Sequence, residues 1–292
     1  YQRSGHYGLV TGDLNTIFLI CSPNNMRSFT ILFFFSAVAA VALATTSNNV
    51  EEVISQVVEI HRLRPQTGSA GYPVPQLDCL SWRLAVETNN LKYWKLVPSA
   101  CENYVGHYML GKQYRNDCEA VADAAIEYAK GLKLVGDGKD VWVFDIDETT
   151  LSNLPYYARS DVAFGAKPYN NTNFNAWVLQ GKAPAIPATL RLYKMLLSLG
   201  IKPVILTGTR EYTRQTRISN LKKSGYTSWL KLILKETNYS GSAVHFKSSK
   251  RTELVKVGYR IVGNIGDQWT DLIGENPGAR TFKVPDPMYY VG

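Results

Sequence analysis

The chain predicts an α/β fold, a parallel sheet with helices on both faces preceded by an N-terminal helical segment. Three observations carry this. Short apolar runs at residues 142–144, 203–206, 230–234 and 259–265 have strand length and alternate with helix-patterned stretches at 188–199, 212–224 and 249–257. That alternation is the signature of parallel strands joined by helical crossovers. Apolar residues at helical spacing fill 50–61, 81–87 and 118–129, ahead of the first strand. Between the two regimes, Gly136, Asp137 and Gly138 interrupt the helical pattern. With 45% hydrophobic and 19% charged residues and no visible repeat, the composition excludes disordered and solenoid classes.

Taken in order, the N-terminus reads as a leader. Met26-Arg27-Ser28 precedes an apolar run from Phe29 to Ala44, and polar Thr45-Thr46-Ser47 follows. A basic start, an apolar centre and a small-residue end make a secretory signal at 26–44 with cleavage after Ala44. The run is short for a membrane span and lacks a basic stop-transfer flank, so no span is expected after cleavage. Residues 1–25 have no place in that design and are expected to be upstream sequence, with initiation at Met26. Residues 45–137 form the helical segment and 138–292 the α/β core. The interval at about 152–187 is aromatic, Asn-rich and Pro-rich and is too long for a simple loop. Beside a site, such an insertion is expected to fold over it as a flap and to shape the substrate pocket.

A secreted chain can keep disulfides. Cys21 lies before the predicted cleavage, which leaves Cys79, Cys101 and Cys118. A Cys79–Cys101 bridge would close a moderate loop, and Cys118 is then either buried or paired with another chain. That leftover thiol permits a homodimer without requiring one. The sequons Asn170-Asn171-Thr172 and Asn238-Tyr239-Ser240 make Asn170 and Asn238 glycan acceptors in this compartment. The net charge of +8 is spread over scattered Lys and Arg with no basic arm, so no nucleic-acid partner is expected.

Polar signals gather at the predicted strand ends. The first strand delivers Asp145 and Asp147, and the second ends at Thr207-Gly208-Thr209. The segment before the helix at 249–257 supplies Lys247 and Lys250, and the last strand ends at Gly266-Asp267-Gln-Trp-Thr-Asp271. Neighbouring carboxylates raise each other's proton affinity unless a cation intervenes. Several carboxylates, a hydroxyl and an ammonium on one rim suit phosphoryl transfer with Mg2+, which takes hard oxygen ligands and keeps several waters. A carboxylate nucleophile would divide hydrolysis into two displacements, and a second aspartate would serve as acid and then base. On this reading Asp147 carries a proton affinity raised by burial beside Asp145.

These residues resemble the haloacid dehalogenase (HAD) superfamily, and more narrowly the plant class B acid phosphatases of the vegetative storage protein type. The first motif of the superfamily stands as Asp145-Ile-Asp147-Glu-Thr149, the second-motif residue as Thr207, the third-motif lysine as Lys247 and the fourth motif as Gly266-Asp267-Gln-Trp-Thr-Asp271. Similarity continues through Ser81-Trp-Arg-Leu-Ala-Val-Glu-Thr-Asn-Asn90, Leu151-Ser-Asn-Leu-Pro-Tyr-Tyr157 and Arg280-Thr-Phe-Lys-Val-Pro-Asp-Pro-Met-Tyr-Tyr290, and so covers roughly residues 50–292.

The resemblance implies a HAD-like Rossmannoid sheet and hydrolysis of small phosphate monoesters through an aspartyl-phosphate, in a vacuole or outside the cell. It assigns Asp145 as nucleophile and metal ligand, and Asp147 as acid/base giving its backbone carbonyl to the metal. Thr207 and Lys247 hold the phosphoryl oxygens, with Lys250 as the alternative lysine and Gly208 and Thr149 beside the substrate. Thr149 also fixes the turn. Asp267 ligates Mg2+, and Asp271 supports the metal or orients Lys247. The relatives commonly read Thr-Gly-Arg where this chain has Thr207-Gly208-Thr209-Arg210, which leaves the part played by Arg210 open. Tyr156, Tyr157 and Trp177 are candidate pocket residues, whereas His107 and His245 are expected to be ordinary polar residues. The alternative function is a storage protein with a vestigial site. Some storage members replace the nucleophile with serine, and this chain keeps Asp145. A receiver domain would lack the Asp147 partner and a leader.

Overall fold

Five strands pair in parallel in the computed structural model, which describes residues 79–292. The expected leader at 26–44, the expected upstream segment 1–25 with Cys21, and the helix expected at 50–61 lie outside the described residues. The strands are β1 (Asp140–Phe144), β2 (Lys202–Arg210), β3 (Lys231–Lys235), β4 (Arg260–Gly266) and β5 (Thr281–Lys283), in spatial order β3-β2-β1-β4-β5. All five residues of β1 are buried because both faces of the central strand are covered. Strand alternation then splits them. Trp142 and Phe144 enter one core, and Val141 and Val143 enter a second with Val204, Leu206 and Ile261.

The first core is closed by α1 (Cys79–Glu87), α2 (Glu102–Leu110), α3 (Lys112–Lys130) and α6 (Pro187–Ser198). Six residues of α3, from Tyr114 to Ala129, are buried on one stripe, which makes a face wide enough to cover the sheet. The second core is closed by α8 (Ala243–Lys256) through Phe246 and Leu254. Helix α7 (Arg214–Lys223) connects β2 to β3, and α9 (Trp269–Leu272) follows β4. A disulfide joins Cys79 and Cys101, with Cα atoms 5.4 Å apart. Cys118 is buried in α3, and burial pushes its thiol up to about 12.

The structure differs from the expected elements in four places. Helix α8 starts at Ala243 rather than at 249, because the Ser242 hydroxyl accepts the His245 N–H and caps it. Lys247 and Lys250 therefore stand on the helix and not before it. Strand β2 runs on through Thr207 to Arg210, with a shift in its register against β3 between those residues. Interval 152–187 holds two short helices, α4 (Leu154–Tyr157) and α5 (Asn171–Leu179). Strand β5 was not expected. Among the described residues no helix is long and apolar enough to cross a membrane.

The chain steps from β1 outward to β2 and β3, then returns to β4 and β5 on the other side. The strand order thus reverses between β1 and β4, where a parallel sheet leaves a crevice at its carboxyl ends.

Candidate active site

Asp145 and Asp147 leave β1 into that crevice. The Asp145 N–H still donates to Ile265 O at 3.2 Å, which seats the carboxylate beside β4. The chain then turns sharply, with Glu148 in the left-handed region at φ 52°. Such a backbone costs of order 1–3 kcal/mol for a non-glycine residue. The Glu148 carboxylate offsets this by accepting the Asn153 N–H at 2.5 Å and Asn153 Nδ2 at 2.9 Å, which closes the turn on itself. Burial, with Asp147 and Asp267 adding, pushes Glu148 up to about 8.

Asp145, Asp267 and Asp271 bring carboxylate oxygens within 4.8 Å of one another, all buried. Gly266 permits this, since a Cβ there would collide with the Asp271 side chain. Each acid has fixed support. Thr149 Oγ1 donates to Asp267 Oδ1 at 2.9 Å, and Gln268 Nε2 to Asp267 Oδ2 at 2.8 Å. The Gln268 N–H donates to Asp271 Oδ2 at 3.0 Å, the reciprocal cap that starts α9. Lys247 Nζ lies 2.5 Å from Asp145 Oδ1 and pairs with Asp271 Oδ1.

Burial pushes Asp145 well above the usual carboxylate range, with Asp271 and Asp267 adding and Lys247 opposing. Burial and Asp271 push Asp267 up to about 7. Burial disfavours the Lys247 charge, but Asp145 and Asp271 outweigh it and hold the ammonium protonated. With all three ionised, three carboxylates against one ammonium would leave two negative charges uncompensated, and for that reason Asp145 and Asp267 hold their protons more tightly when no cation is bound. A hard oxygen donor set with that residual charge fits a divalent cation.

Asp147 turns elsewhere. Its Oδ1 accepts from Arg217 Nη2 at 2.7 Å and Asn153 Nδ2 at 2.8 Å; its Oδ2 accepts from Arg217 Nη2 at 2.9 Å and Thr209 Oγ1 at 3.0 Å. Burial raises its proton affinity, but Arg217, Asn153 and Thr209 together hold the carboxyl below its ordinary value. The expectation of a raised Asp147 is thus reversed, because the buried guanidinium on α7 outweighs desolvation. Its carboxylate is also absent from the three-acid cluster, so only its backbone carbonyl is left for a metal.

A cleft of about 580 Å³ opens above these groups, with Asp145, Asp147, Gly208, Lys247, Asp267 and Asp271 on its floor. Thr207 and Thr149 are fully buried behind it. The Thr207 hydroxyl is 2.7 Å from Thr209 Oγ1 and accepts the Thr209 N–H, and Thr149 is taken by Asp267. Thr149 therefore meets an acid where substrate contact was expected. Lys250 pairs with Glu236 and Glu253 away from the floor, which separates it from Lys247. Arg210 donates to the carbonyls of Glu236, Thr237 and Tyr239, so the displaced arginine orders the loop after β3.

Of the aromatic candidates, Tyr157 lines the cleft with Tyr169, Phe174 and Tyr289. Tyr156 packs in the core behind it, and Trp177 Nε1 donates to Asn153 Oδ1 at 2.8 Å. His107 is exposed on α2, and His245 Nδ1 lies 2.7 Å from the Tyr239 hydroxyl. Asn170 and Asn238 are both exposed. Reasoning from sequence missed Glu148, Asn153, Gln268 and above all Arg217. The available signal for Arg217 was the weakness of α7 as an amphipathic helix: its inward stripe is Arg217, Asn220 and Leu221, two of them polar.

Comparison with known proteins agrees with this geometry. The family profile described as HAD superfamily, subfamily IIIB (acid phosphatase), matches residues 67–292. The chain is 42% identical over 265 residues to acid phosphatase 1 of Solanum lycopersicum, covering 89% of this chain and 99% of the relative. It is 43% identical over 235 residues to vegetative storage protein 1 of Arabidopsis thaliana, covering 80% and 84%. It is also 43% identical over 232 residues to the stem 28 kDa glycoprotein of Glycine max, covering 78% and 89%. In fold it is similar to the class C acid phosphatase from Bacillus anthracis, at a TM-score of 0.54 and 20% identity over 65% of this chain and 85% of that one. With its strand-end acids, its parallel sheet and this likeness over nearly all of the matched relatives, the chain belongs to the acid phosphatases of HAD subfamily IIIB.

Proposed function

We propose that the chain hydrolyses phosphate monoesters through an aspartyl-phosphate on Asp145, with Mg2+ held by Asp145, Asp267 and Asp271 and by the Asp147 backbone carbonyl. The observation that carries this is the division of the acids, three clustered with Lys247 paired to two of them, and Asp147 held apart by Arg217. Bound there, the dication would neutralise charge on the phosphoryl oxygens and the nucleophile.

The residues supply the rest. Asp145 attacks phosphorus as the ester P–O bond breaks, and Lys247 meets the charge that develops on the phosphoryl oxygens. Asp147 gives its proton to the departing alkoxide, which leaves as a neutral alcohol. It then takes a proton from the water that attacks the phosphorus of the acyl phosphate on Asp145, releasing inorganic phosphate and restoring the carboxylate. Arg217 keeps Asp147 ionised at rest, which suits the second duty; the first needs a proton that becomes more available as pH falls. Lys235 on the cleft wall supports an anionic substrate, since burial and the neighbouring Arg210 and Lys247 all disfavour its charge.

The test is turnover of 4-nitrophenyl phosphate after chelation. Activity should disappear and return with magnesium, and Asp145→Asn should be folded and inert. Parental turnover by Asp145→Asn would remove Asp145 as nucleophile.

The leader, the exposed sequons and the glycoprotein and storage names of the relatives support passage through the secretory route to a vacuole or the cell exterior. The same storage relative favours a second reading, accumulation as a nutrient reservoir. A high specific activity of the purified protein would argue against a purely storage role.

A further inference from the structure

Arg217 lies on α7 with 1% of its surface exposed. A guanidinium cannot shed its charge to relieve such burial. One nitrogen, Nη2, makes three contacts, to Asp147 Oδ1 at 2.7 Å, Asp147 Oδ2 at 2.9 Å and Thr209 Oγ1 at 3.1 Å. Its Nε–H is buried and has no hydrogen-bond partner among the described residues. An orphaned buried donor is a cost to the fold. A buried ion pair is moreover weak support for a fold, since well-packed apolar residues serve as well or better. The placement is therefore poor as a stabilising device and specific as a contact to one carboxylate.

Thr209 Oγ1 and Asn153 Nδ2 complete the arrangement, one on each oxygen of Asp147. Helix α7 is itself anchored, because Asn220 on the same stripe accepts the Ala183 N–H at 3.1 Å and donates to Ala183 O at 2.7 Å. We infer that Arg217 is a positioning residue that fixes the Asp147 carboxylate between Thr209 and Asn153 and keeps it from joining the Asp145, Asp267 and Asp271 cluster. This rests on the phosphatase reading, in which Asp147 protonates the leaving group. Arg217 is not among the residues that line the cleft, and it reaches the site through Asp147 and Thr209.

The experiment compares leaving groups in the parent, Arg217→Met, Arg217→Lys and Thr209→Val. One substrate is 4-nitrophenyl phosphate, whose phenolate departs with little help. The other is a simple alkyl phosphate, whose alkoxide needs a proton as the P–O bond breaks. Positioned acid–base catalysis contributes on the order of 10²–10⁴-fold, so Arg217→Met should lower kcat for the alkyl ester by about 100-fold, and for the aryl ester by about tenfold or less. KM should stay within about threefold for both, as uniform binding is untouched. Arg217→Lys should recover part of the alkyl activity, since an ammonium can donate to the same oxygens. Thr209→Val, which removes one donor, should move the ratio in the same direction by about threefold.

Equal losses on the two esters in all variants, or none, would reduce Arg217 to a packing role and overturn the inference. Should Arg217→Met fail to fold, the Lys and Val variants decide by the same ratio. A parent that hydrolyses neither ester would overturn the phosphatase reading, and the inference with it.

Discussion

Asp145 and Asp147 stand two residues apart at the end of one strand, in opposite surroundings. Around Asp145 the nearest charged groups are two further carboxylates and one ammonium, so negative charge is in excess and burial raises the acid well above its usual range. Around Asp147 a buried guanidinium, a hydroxyl and an amide supply donors to both oxygens, and the acid is held low. Identical side chains thus end in a cluster that suits a dication and in a self-contained ion pair. The peptide between them makes the separation possible. Ile146 is buried in the core, and the left-handed Glu148 throws the next residues back over the strand. On the proposed reading, environments that push two like groups apart let one site hold both a nucleophile and an acid.

The largest test of that contrast is Asp147→Asn. The amide keeps the shape but cannot give up a proton, so kcat should fall about 10³-fold and more steeply for esters of weakly acidic alcohols. Magnesium affinity should change little, because the three-acid cluster is untouched; a large loss of affinity would place the Asp147 carboxylate among the ligands. Lys247→Met attacks the other side. It leaves Asp145 and Asp271 facing each other unneutralised, and removing one partner of a buried pair costs about 3–5 kcal/mol. Turnover should fall by about 10²-fold as well. Lys250→Met, whose lysine pairs only with more exposed acids, should stay within about 0.5 kcal/mol in denaturant melts. Equal effects from the two lysines would undo the assignment of Lys247 to the floor.

A smaller effect separates the two surroundings by pH. Asp267 is pushed up to about 7 by burial and by Asp271, while an unfolded aspartate titrates near about 4. The folded chain then holds that proton more tightly than the unfolded chain does. For this group the metal-free protein is most stable below about pH 4 and loses stability as pH rises toward about 7. Asp145 shifts in the same direction. Magnesium should therefore raise the melting temperature more at pH 7.5 than at pH 5, by of the order of 5 °C. The same increment at both values would mean that the cluster is not where the ion binds.

What could be read in advance follows the physics of each element. Asp145, Asp147, Asp267 and Asp271 were legible because strand ends can be located from apolar runs, and parallel sheets put chemistry there. Lys247 was assigned by motif while its helix was started too late, since the first turns of α8 bury Lys247 and Ser248 and so break the apolar period. β5 has three residues, too few for a pattern. Arg217 was invisible for a deeper reason. Periodicity finds inward faces only when they are apolar, and α7 turns an arginine and an asparagine toward the core. The Cys79–Cys101 bridge is one of three pairings open to Cys79, Cys101 and Cys118, and the moderate loop it closes is what singles it out. The contact between Asn153 and Trp177 spans 24 residues of interval 152–187 and has no local signature.

That contact gives the smallest test and probes the Asp147 side from interval 152–187. Trp177 Nε1 donates to Asn153 Oδ1, and Asn153 Nδ2 donates to both Asp147 and Glu148. Trp177→Phe removes one neutral hydrogen bond and keeps an aromatic ring against Tyr156. The expected cost is about 1 kcal/mol of stability, with kcat lowered no more than about threefold, since Arg217 and Thr209 still hold both oxygens of Asp147. A much larger fall in kcat at unchanged melting temperature would make the flap contact, and not the guanidinium, the principal support of the acid. The weight of the contrast would then move from α7 to α5, and flap motion rather than a fixed ion pair would govern when Asp147 is in place.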